Sequence, residues 1–200
     1  MESENMAWSV ECGVWSSETK RIQLPLNDDK VKALRAGDRV MLTGVIYTGR
    51  DEAHLYMKKM IERGEKLPFD LNGAVIYYTG PCPAKPGEVI GSAGPTTSGR
   101  MDSYAPMLME RGLKGIIGTG KRNDAVKESM MKNACCYFAA IGGAGALISG
   151  SIKKAEVIAF PELGAEAIYR LEVVDFPCTV VLDCYGNDLY KIGQEKYRHG

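Results

Sequence analysis

The chain has 200 residues, an apolar share of 45%, and 25 basic residues balanced by 25 acidic ones. This composition is typical of a globular domain with one sizeable core, and it excludes a disordered tail or a fibre. Zero net charge without a dense Lys/Arg cluster argues against nucleic acids and anionic membranes as partners. Glycine stands out, because 23 of the 200 residues exceed the average of roughly 7%.

The first residues of the chain, Met1 to Asn5, are acidic and polar, unlike a secretory signal or an organelle transit peptide. The longest apolar run, residues 134–149, contains glycines and is too short to span a bilayer. We therefore expect a cytoplasmic protein. Residues 1–20 show no period and are expected to form an irregular extension, with one domain over residues 21–200.

The first half of the domain alternates strand and helix patterns. Asp51 and Asn123 are expected to cap the second and fourth helices of the chain. In chain order we expect a strand at 22–26, a helix at 28–36, a strand at 38–48, a helix at 51–63, a strand at 74–79, an extended segment at 88–93, a helix at 102–111, a strand at 115–118 and a helix at 123–132.

The second half continues the alternation and ends on paired strands. We expect a strand at 135–141, a helix at 144–151, a strand at 155–160, a helix at 162–170, strands at 172–176 and 178–184, and a final hairpin strand at 189–192. Helices between strands in the middle and local strand pairing at the ends predict a single α/β domain with a mixed sheet.

The cysteines lack the spacing of a metal chelate. None of the six, at positions 12, 82, 135, 136, 178 and 184, forms a Cys-x2-Cys pair. The adjacent Cys135 and Cys136 would point to opposite faces of a strand. We expect most of them to be buried apolar residues, and we expect no metal site in this chain.

Residues 91–102 (GSAGPTTSGRMD) form the densest unusual stretch. Tight turns and three hydroxyls lead into a helix start, whose free N–H groups suit an anion. Arg100 lies beside that start, where a cation is unfavourable unless a negative group neutralises it. The alternative is a simple cap by Thr97 or Ser98, with Arg100 in solvent.

Two further turns also suit an anion. Arg50 follows a strong strand and begins a helix, where its planar fork matches a carboxylate; the alternative is a surface ion pair. His54, in that helix, is expected to be a hydrogen-bonded structural residue. Residues 118–124 (GTGKRND) make a glycine-rich turn with two cations, which could bind an anion or be a solvated turn. The glycine run at 142–146 is expected to permit close packing.

Several of these segments resemble, in order, the class I fumarate hydratase C-terminal domain, which is also the β subunit of L(+)-tartrate dehydratase-type hydro-lyases. The matching segments are 48–54 (TGRDEAH), 78–87 (YTGPCPAKPG), 91–102, 112–118 (GLKGIIG), 141–144 (IGGA), 155–160 (AEVIAF) and 171–177 (LEVVDFP). The resemblance covers about residues 20–192 and implies a swivelling β/β/α domain.

The resemblance also implies a division of labour between two chains. In this family a [4Fe–4S] cluster is held by three cysteines of a partner α subunit or an N-terminal domain, and its open iron acts as a Lewis acid toward the substrate. Thr96 corresponds to the family's base, although a free hydroxyl needs strong activation for that role. Arg50 and Arg100 correspond to carboxylate clamps, with Thr97 as a further substrate-binding residue. Where many relatives carry Lys this sequence has Thr119, so Lys121 is expected to supply the ammonium.

The implied function is therefore the β subunit of a [4Fe–4S] fumarate hydratase, active only with an α subunit. Three alternatives stay open: the β subunit of an L(+)-tartrate dehydratase, a non-catalytic subunit that only stabilises its partner, and a stand-alone anion-binding module without a cluster partner. The family suggests an α2β2 heterotetramer, with a homodimer as the form of the chain alone.

Overall fold

Seven strands form one mixed sheet in the computed structural model, which describes residues 19–140 and 145–197. Most are rich in β-branched and aromatic residues, the types that fit a pleated surface. The strands are β1 (Lys20–Gln23), β2 (Arg39–Thr48), β3 (Val75–Tyr77), β4 (Gly115–Gly118), β5 (Cys136–Ala139), β6 (Ile152–Ala159) and β7 (Ile168–Leu182). The predicted α/β class with a mixed sheet is thus confirmed.

The sheet closes on itself. Its order is β1-β2-β3-β4-β5-β7-β6, and β2 also pairs with β7. Neighbouring strands from β1 to β5 are parallel, whereas β7 is antiparallel to β2, β5 and β6. Strands β2, β3, β4, β5 and β7 therefore form a ring, and the carboxyl ends of β2 to β5 meet at one edge of it.

The helices cover the outside of this ring and one of its ends. They are α1 (Asp28–Lys32), α2 (Asp51–Glu62), α3 (Ala105–Met109), α4 (Asp124–Asn133), α5 (Gly145–Ser151) and α6 (Leu189–Tyr197), with 3₁₀ turns at Ser98–Met101 and Pro161–Glu166. Asn123 caps α4 as predicted, accepting from the Val126 amide at 2.9 Å. The cap residue of α2 is Arg50 rather than Asp51, which is the first helical residue.

Alternate residues of the central strands pack into two separate hydrophobic cores, one on each face of the sheet. Val75, Ile117 and Phe138 pack in the cluster that includes α1. Ile76 and Ile116 pack on the other side, with residues of α2, α3 and α4. Because both faces are covered, β3 and β4 are entirely buried, as expected for parallel strands.

The end of the chain differs from the prediction. The predicted hairpin strand at 189–192 is wrong, because α6 occupies this position. Asp188 accepts hydrogen bonds from the amides of Tyr190, Lys191 and Ile192, which starts a helix. Only a single bridge between Leu182 and Asp188 retains the hairpin pairing.

The region before and within β7 also differs. The helix predicted at 162–170 is a 3₁₀ turn that Gly164, with φ 59°, interrupts, and the strand begins at Ile168. The two predicted strands around Pro177 are one strand of 15 residues. At Pro177, one side of β7 pairs with β2. On its other side, Pro177 lies between the segment of β7 that pairs with β6 and the segment that pairs with β5. A missing N–H is tolerated at such a sheet edge.

Some predictions fall outside the described residues. The extension at 1–20 is one of them, apart from Lys20, which belongs to β1. The glycine run begins in residues 141–144, which are also outside this range. Residues 88–93 form an irregular loop without a strand. Of the helices described, none has the length and apolar character needed to cross a membrane.

Candidate anion-binding site

The candidate residues lie at the carboxyl edge of the parallel strands. Thr48 pairs with Tyr77, and Tyr77 pairs with Ile117 in the next strand, so β2, β3 and β4 end at the same level. The chain leaves this edge through the start of α2, the segment after β3, and a turn at residues 119–122. Loops at the carboxyl ends of strands are the usual ligand sites of α/β sheets.

The loop at residues 96–100 is held between the ends of β3 and β4. The Thr96 amide donates to the Tyr78 carbonyl at 2.8 Å, and Thr97 forms a parallel bridge with Thr119. Ser98 makes two hydrogen bonds to Thr119, one through its amide at 2.9 Å and one through its Oγ at 3.0 Å. The loop therefore extends the sheet, with Thr96 half-buried and Thr97 exposed.

Gly118, the last residue of β4, permits this arrangement. A Cβ atom at this position would collide with Ser98 Oγ. The Ser98 hydroxyl fills that space instead and also lies 3.0 Å from the Tyr137 hydroxyl. Here glycine is required by the close approach of the Ser98 side chain.

Arg100 is joined to the start of α2. Its Nε donates to Asp51 Oδ1 at 3.0 Å, and its Nη2 lies 2.9 Å from Asp51 Oδ2. The pair is side-on and partly exposed, with 52% of the Arg100 side chain accessible. Arg100 is therefore partly in solvent, as the alternative has it, and a carboxylate of the same chain also neutralises it.

Arg50 is held at the same helix start by a different carboxylate. Its Nη2 lies 3.3 Å from Glu166 Oε1, and Glu166 Oε2 accepts from the Glu52 amide at 3.0 Å. A Cβ on Gly80 would lie 2.7 Å from Arg50 Nη1, so glycine lets the guanidinium cross the neighbouring loop. Arg50 thus forms an ion pair, as in the alternative that the sequence left open, but only 23% of its side chain is accessible.

The structure thus brings four of the five predicted site residues together: Arg50, Arg100, Thr96 and Thr97. Lys121 lies at the rim of this group, and its side chain is exposed. Its backbone carbonyl oxygen would lie 3.7 Å from a Cβ atom built on Gly99, in the loop that carries Arg100. Their roles toward a substrate stay predictions. Chemically, the two guanidiniums at the start of α2 offer forked donors that match carboxylates.

A buried charge beneath the loop was not singled out by the sequence. The Arg122 side chain is fully buried, and its Nε donates to Asp102 Oδ1 at 2.6 Å. Asp102 Oδ2 accepts from the Asn123 amide at 2.7 Å. The interpretation of residues 118–124 as a solvated turn is therefore wrong for Arg122. These partners are far apart in sequence, so no local pattern could have paired them.

His54 is a structural histidine, as expected. Its ring is fully buried, and its Nδ1 lies 2.7 Å from the Arg50 carbonyl oxygen. Because a carbonyl only accepts, Nδ1 carries the proton. Burial lowers the pKa of His54 to about 4, so the ring is neutral at physiological pH.

The cysteines of the described residues do not fit an iron–sulfur cluster. This part of the chain contains no group of three or more His, Cys, Asp or Glu side chains placed to hold a metal. Burial raises the pKa of the Cys135 thiol to about 12 and also raises the pKa values of Cys136 and Cys178. Cluster ligands are thiolates grouped around one site, whereas these buried thiols are not grouped with other ligating side chains of the described residues.

Fold and site together define a single α/β domain with a ring-forming mixed sheet and two arginines at its carboxyl edge. Comparison with known proteins identifies the family of this domain. The profile of the family described as "Fumarase C-terminus" matches residues 2–193. The chain belongs to this family.

Two curated relatives are fumarate hydratases. The chain is 40% identical to fumarate hydratase 2 of Leishmania major over 181 residues, which cover 88% of this chain and 32% of the relative. It is 43% identical to the aerobic class I fumarate hydratase of Salmonella typhimurium over 155 residues, 76% of this chain and 27% of that protein. The chain thus spans about a third or less of these relatives.

A third relative has a length similar to that of this chain. It is the Methanocaldococcus jannaschii protein provisionally named L(+)-tartrate dehydratase subunit beta. The identity is 40% over 172 residues, which cover 83% of this chain and 88% of that protein.

Proposed function

We propose that this chain is the β component of a [4Fe–4S] hydro-lyase that interconverts fumarate and L-malate, active only together with a cluster-bearing α component. Family membership and the names of the fumarate hydratase relatives support this reaction. The observation that carries the proposal is the convergence of Arg50 and Arg100 on the first turn of α2, each with its guanidinium against a carboxylate.

In this proposal the two arginines bind the two ends of a dicarboxylate. Each guanidinium already contacts a carboxylate oxygen of Glu166 or Asp51, which stand where a ligand carboxylate would bind. The Arg100–Asp51 pair is partly exposed, and exposed ion pairs contribute only about 0–1 kcal/mol, so a ligand can replace this pair at small cost. Thr97 and Lys121, exposed at the rim, add donors to the same ligand.

Thr96 is the proposed residue for moving the C3 proton. Its amide is fixed on the Tyr78 carbonyl, and the residue is half-buried in the loop that ends at Arg100. A threonine hydroxyl is a weak acid, so deprotonation requires neighbouring cations and exclusion of water. Arg100 is four residues further along the same loop.

The cluster belongs to the partner in this proposal, because the described thiols of this chain do not fit it. When bound by the partner, such a cluster supplies a Lewis-acidic iron that polarises the hydroxyl group of the substrate. We propose an α2β2 assembly, with residues 21–200 as the β domain and residues 1–20 as an extension. The cytoplasmic location stays a prediction.

A tartrate dehydratase is the second candidate. The observation that favours it is the Methanocaldococcus jannaschii relative, of which the alignment covers 88%. Fumarate, malate and tartrate are all four-carbon dicarboxylates with a carboxylate at each end, so the two arginines serve any of them. The rates at which the complex with the cluster-bearing partner converts the three compounds decide between these candidates. If the complex converts none of the three, both candidates are contradicted.

Substitution of Arg100 tests the role of this site. In the assembled complex, Arg100→Ala is expected to lower kcat/KM about 10- to 100-fold, since charge-assisted hydrogen bonds contribute about 1.5–3 kcal/mol. Arg111→Ala is the control. The Arg111 guanidinium donates to the Met107 carbonyl oxygen, and this segment precedes the amino end of β4, not its carboxyl end. Unchanged turnover in Arg100→Ala, with assembly intact, would make this chain a non-catalytic stabilising subunit.

A further inference from the structure

A buried polar network lies beneath the two candidate clamps and links them. It consists of His54 on α2, Tyr78 after β3, Arg122 before α4, and Asp102 after the 3₁₀ turn. Each of these side chains is buried. Buried ionic groups cost free energy unless their partners are well placed, so a network of this kind depends on its geometry.

One end of the network fixes the loop that carries Arg100. Asp102 follows the 3₁₀ turn at Ser98–Met101, and its amide donates to the Gly99 carbonyl at 3.3 Å. The Asp102 carboxylate is held by Arg122 Nε at 2.6 Å and by the Asn123 amide at 2.7 Å. Arg122 thereby ties the end of the 96–100 loop to the start of α4.

The centre of the network is the Arg122 guanidinium between two aromatic rings. Its Cζ lies 5.3 Å from the ring centre of Tyr78 and 5.2 Å from that of Tyr137. Tyr78 is the residue whose carbonyl accepts from the Thr96 amide. The Arg122 side chain therefore contacts both Tyr78, which anchors the beginning of the loop, and Asp102, which follows its end.

The other end of the network fixes the backbone of Arg50. The His54 ring packs edge-on against Tyr78, with 5.1 Å between ring centres, and its Nδ1 donates to the Arg50 carbonyl. Its Nε2 is then an acceptor, and neither Nε2 nor the Arg122 Nη atoms and the Tyr78 hydroxyl bond to another described group. Donors and acceptors of this kind are bridged by buried water in proteins.

From these contacts we propose that Arg122 is a positioning residue that sets the spacing between Arg50 and Arg100, acting through Asp102 on one side and through Tyr78 and His54 on the other. The proposal rests on the proposed function and deepens it. Arg122 does not touch the ligand. It determines which distance between two carboxylates the site accepts.

The test is selectivity among dicarboxylates of different length. In the assembled complex, inhibition constants are measured for malonate, succinate and glutarate, which have three, four and five carbons. The wild type is expected to prefer succinate. Arg122→Lys keeps the charge but loses the planar fork, and the double variant Arg122→Met with Asp102→Asn removes both charges. Each is expected to reduce the preference for succinate over glutarate at least about tenfold, because small misplacements of binding groups have large effects.

A matched control separates positioning from stability. Lys127 and Asp188 form another largely buried pair, with 2.8 Å between Nζ and Oδ2, which joins α4 to the start of α6. Lys127→Met with Asp188→Asn is expected to lower the melting temperature while keeping the length preference. If the Arg122 variants weaken all three inhibitors equally, or leave the preference unchanged, the positioning role is wrong.

The two proposals fail in different ways. If the wild-type complex binds none of the three dicarboxylates, the proposed function is wrong and the positioning role is wrong with it. If the wild type discriminates by length and the Arg122 variants do so equally well, only the positioning role is contradicted. Should the double variant fail to fold, Arg122→Lys alone decides the question.

Discussion

Arg50 and Arg100 are each oriented by a carboxylate of their own chain. Asp51 holds Arg100, and Glu166 holds Arg50, so both arginines are held at the start of α2. Long side chains lose rotamer entropy when a ligand immobilises them. Because these two are already oriented by weak, exchangeable pairs, much of that loss precedes ligand binding.

His54 makes the stability of the domain depend on pH. Its native pKa is lowered to about 4 by burial, whereas an unfolded histidine titrates near 6.5. As pH falls through 6.5 the unfolded chain binds a proton that the native chain does not, so stability is full above this pH and decreases toward pH 4. Between pH 7 and pH 5 the free energy of unfolding should decrease by about 2 kcal/mol because of this residue.

Urea unfolding at the two pH values checks this prediction. His54→Gln should lose about 2 kcal/mol less than the wild type on acidification, whatever its stability at pH 7. His199→Gln, at the other histidine of the sequence, should behave as the wild type does. Equal acid destabilisation of the wild type and His54→Gln would show that His54 is not the group responsible.

At the scale of elements, the junction between β4 and the 96–100 loop depends on Gly118. Gly118→Ala places a methyl group on Ser98 Oγ, and such overpacking costs about 1–3 kcal/mol. We expect the free energy of unfolding to decrease by this amount and kcat/KM of the complex to decrease as well, because the loop that carries Thr96 and Arg100 must move.

Gly150→Ala is the control for this substitution. Gly150 lies in α5 with no atom within 4 Å of an added Cβ, and alanine in a helix is favoured over glycine by roughly 0.5–1 kcal/mol. Stability should stay the same or increase. Wild-type activity in Gly118→Ala would mean that the loop is not held as described.

Glu166 links the 3₁₀ turn before β7 to the start of α2. It accepts from the Glu52 amide, the bond that a helix cap normally supplies, and caps of this kind contribute about 1 kcal/mol. Glu166→Ala should lower the free energy of unfolding by this amount, measured by urea denaturation. Glu166→Gln retains an acceptor oxygen and should recover most of it, and equal losses in both variants would exclude capping.

How well an element can be predicted from the sequence depends on how far apart in the sequence its interacting residues lie. The helix at Asp51–Glu62 and the capped helix after Asn123 were predicted because spacing and capping are local properties. The strand through Pro177 depends on which strands lie on each side, so local patterns gave the wrong structure there. The final helix was missed although its start at Asp188 is a local feature. Arg50 and Arg100 follow from local motifs, but their carboxylate partners and the burial of Arg122 arise from contacts distant in sequence.

At the scale of the whole molecule, ring closure explains why one edge can serve as a site. The pairing of β2 with β7 completes the ring, so the parallel strands β2 to β5 present their carboxyl ends together. The described residues supply cationic and hydroxyl groups at this edge, but their cysteines do not form a thiolate set. We propose accordingly that a second component carries the cluster.

The most direct test is the rate of L-malate formation from fumarate by the anaerobically prepared cluster-bearing partner, with and without this chain. We predict that each component alone is inactive and that the mixture turns over, with Arg100→Ala assembling normally but reacting slowly. Turnover by this chain alone would contradict the account. A properly assembled pair that transforms neither fumarate nor malate nor tartrate would contradict it as well.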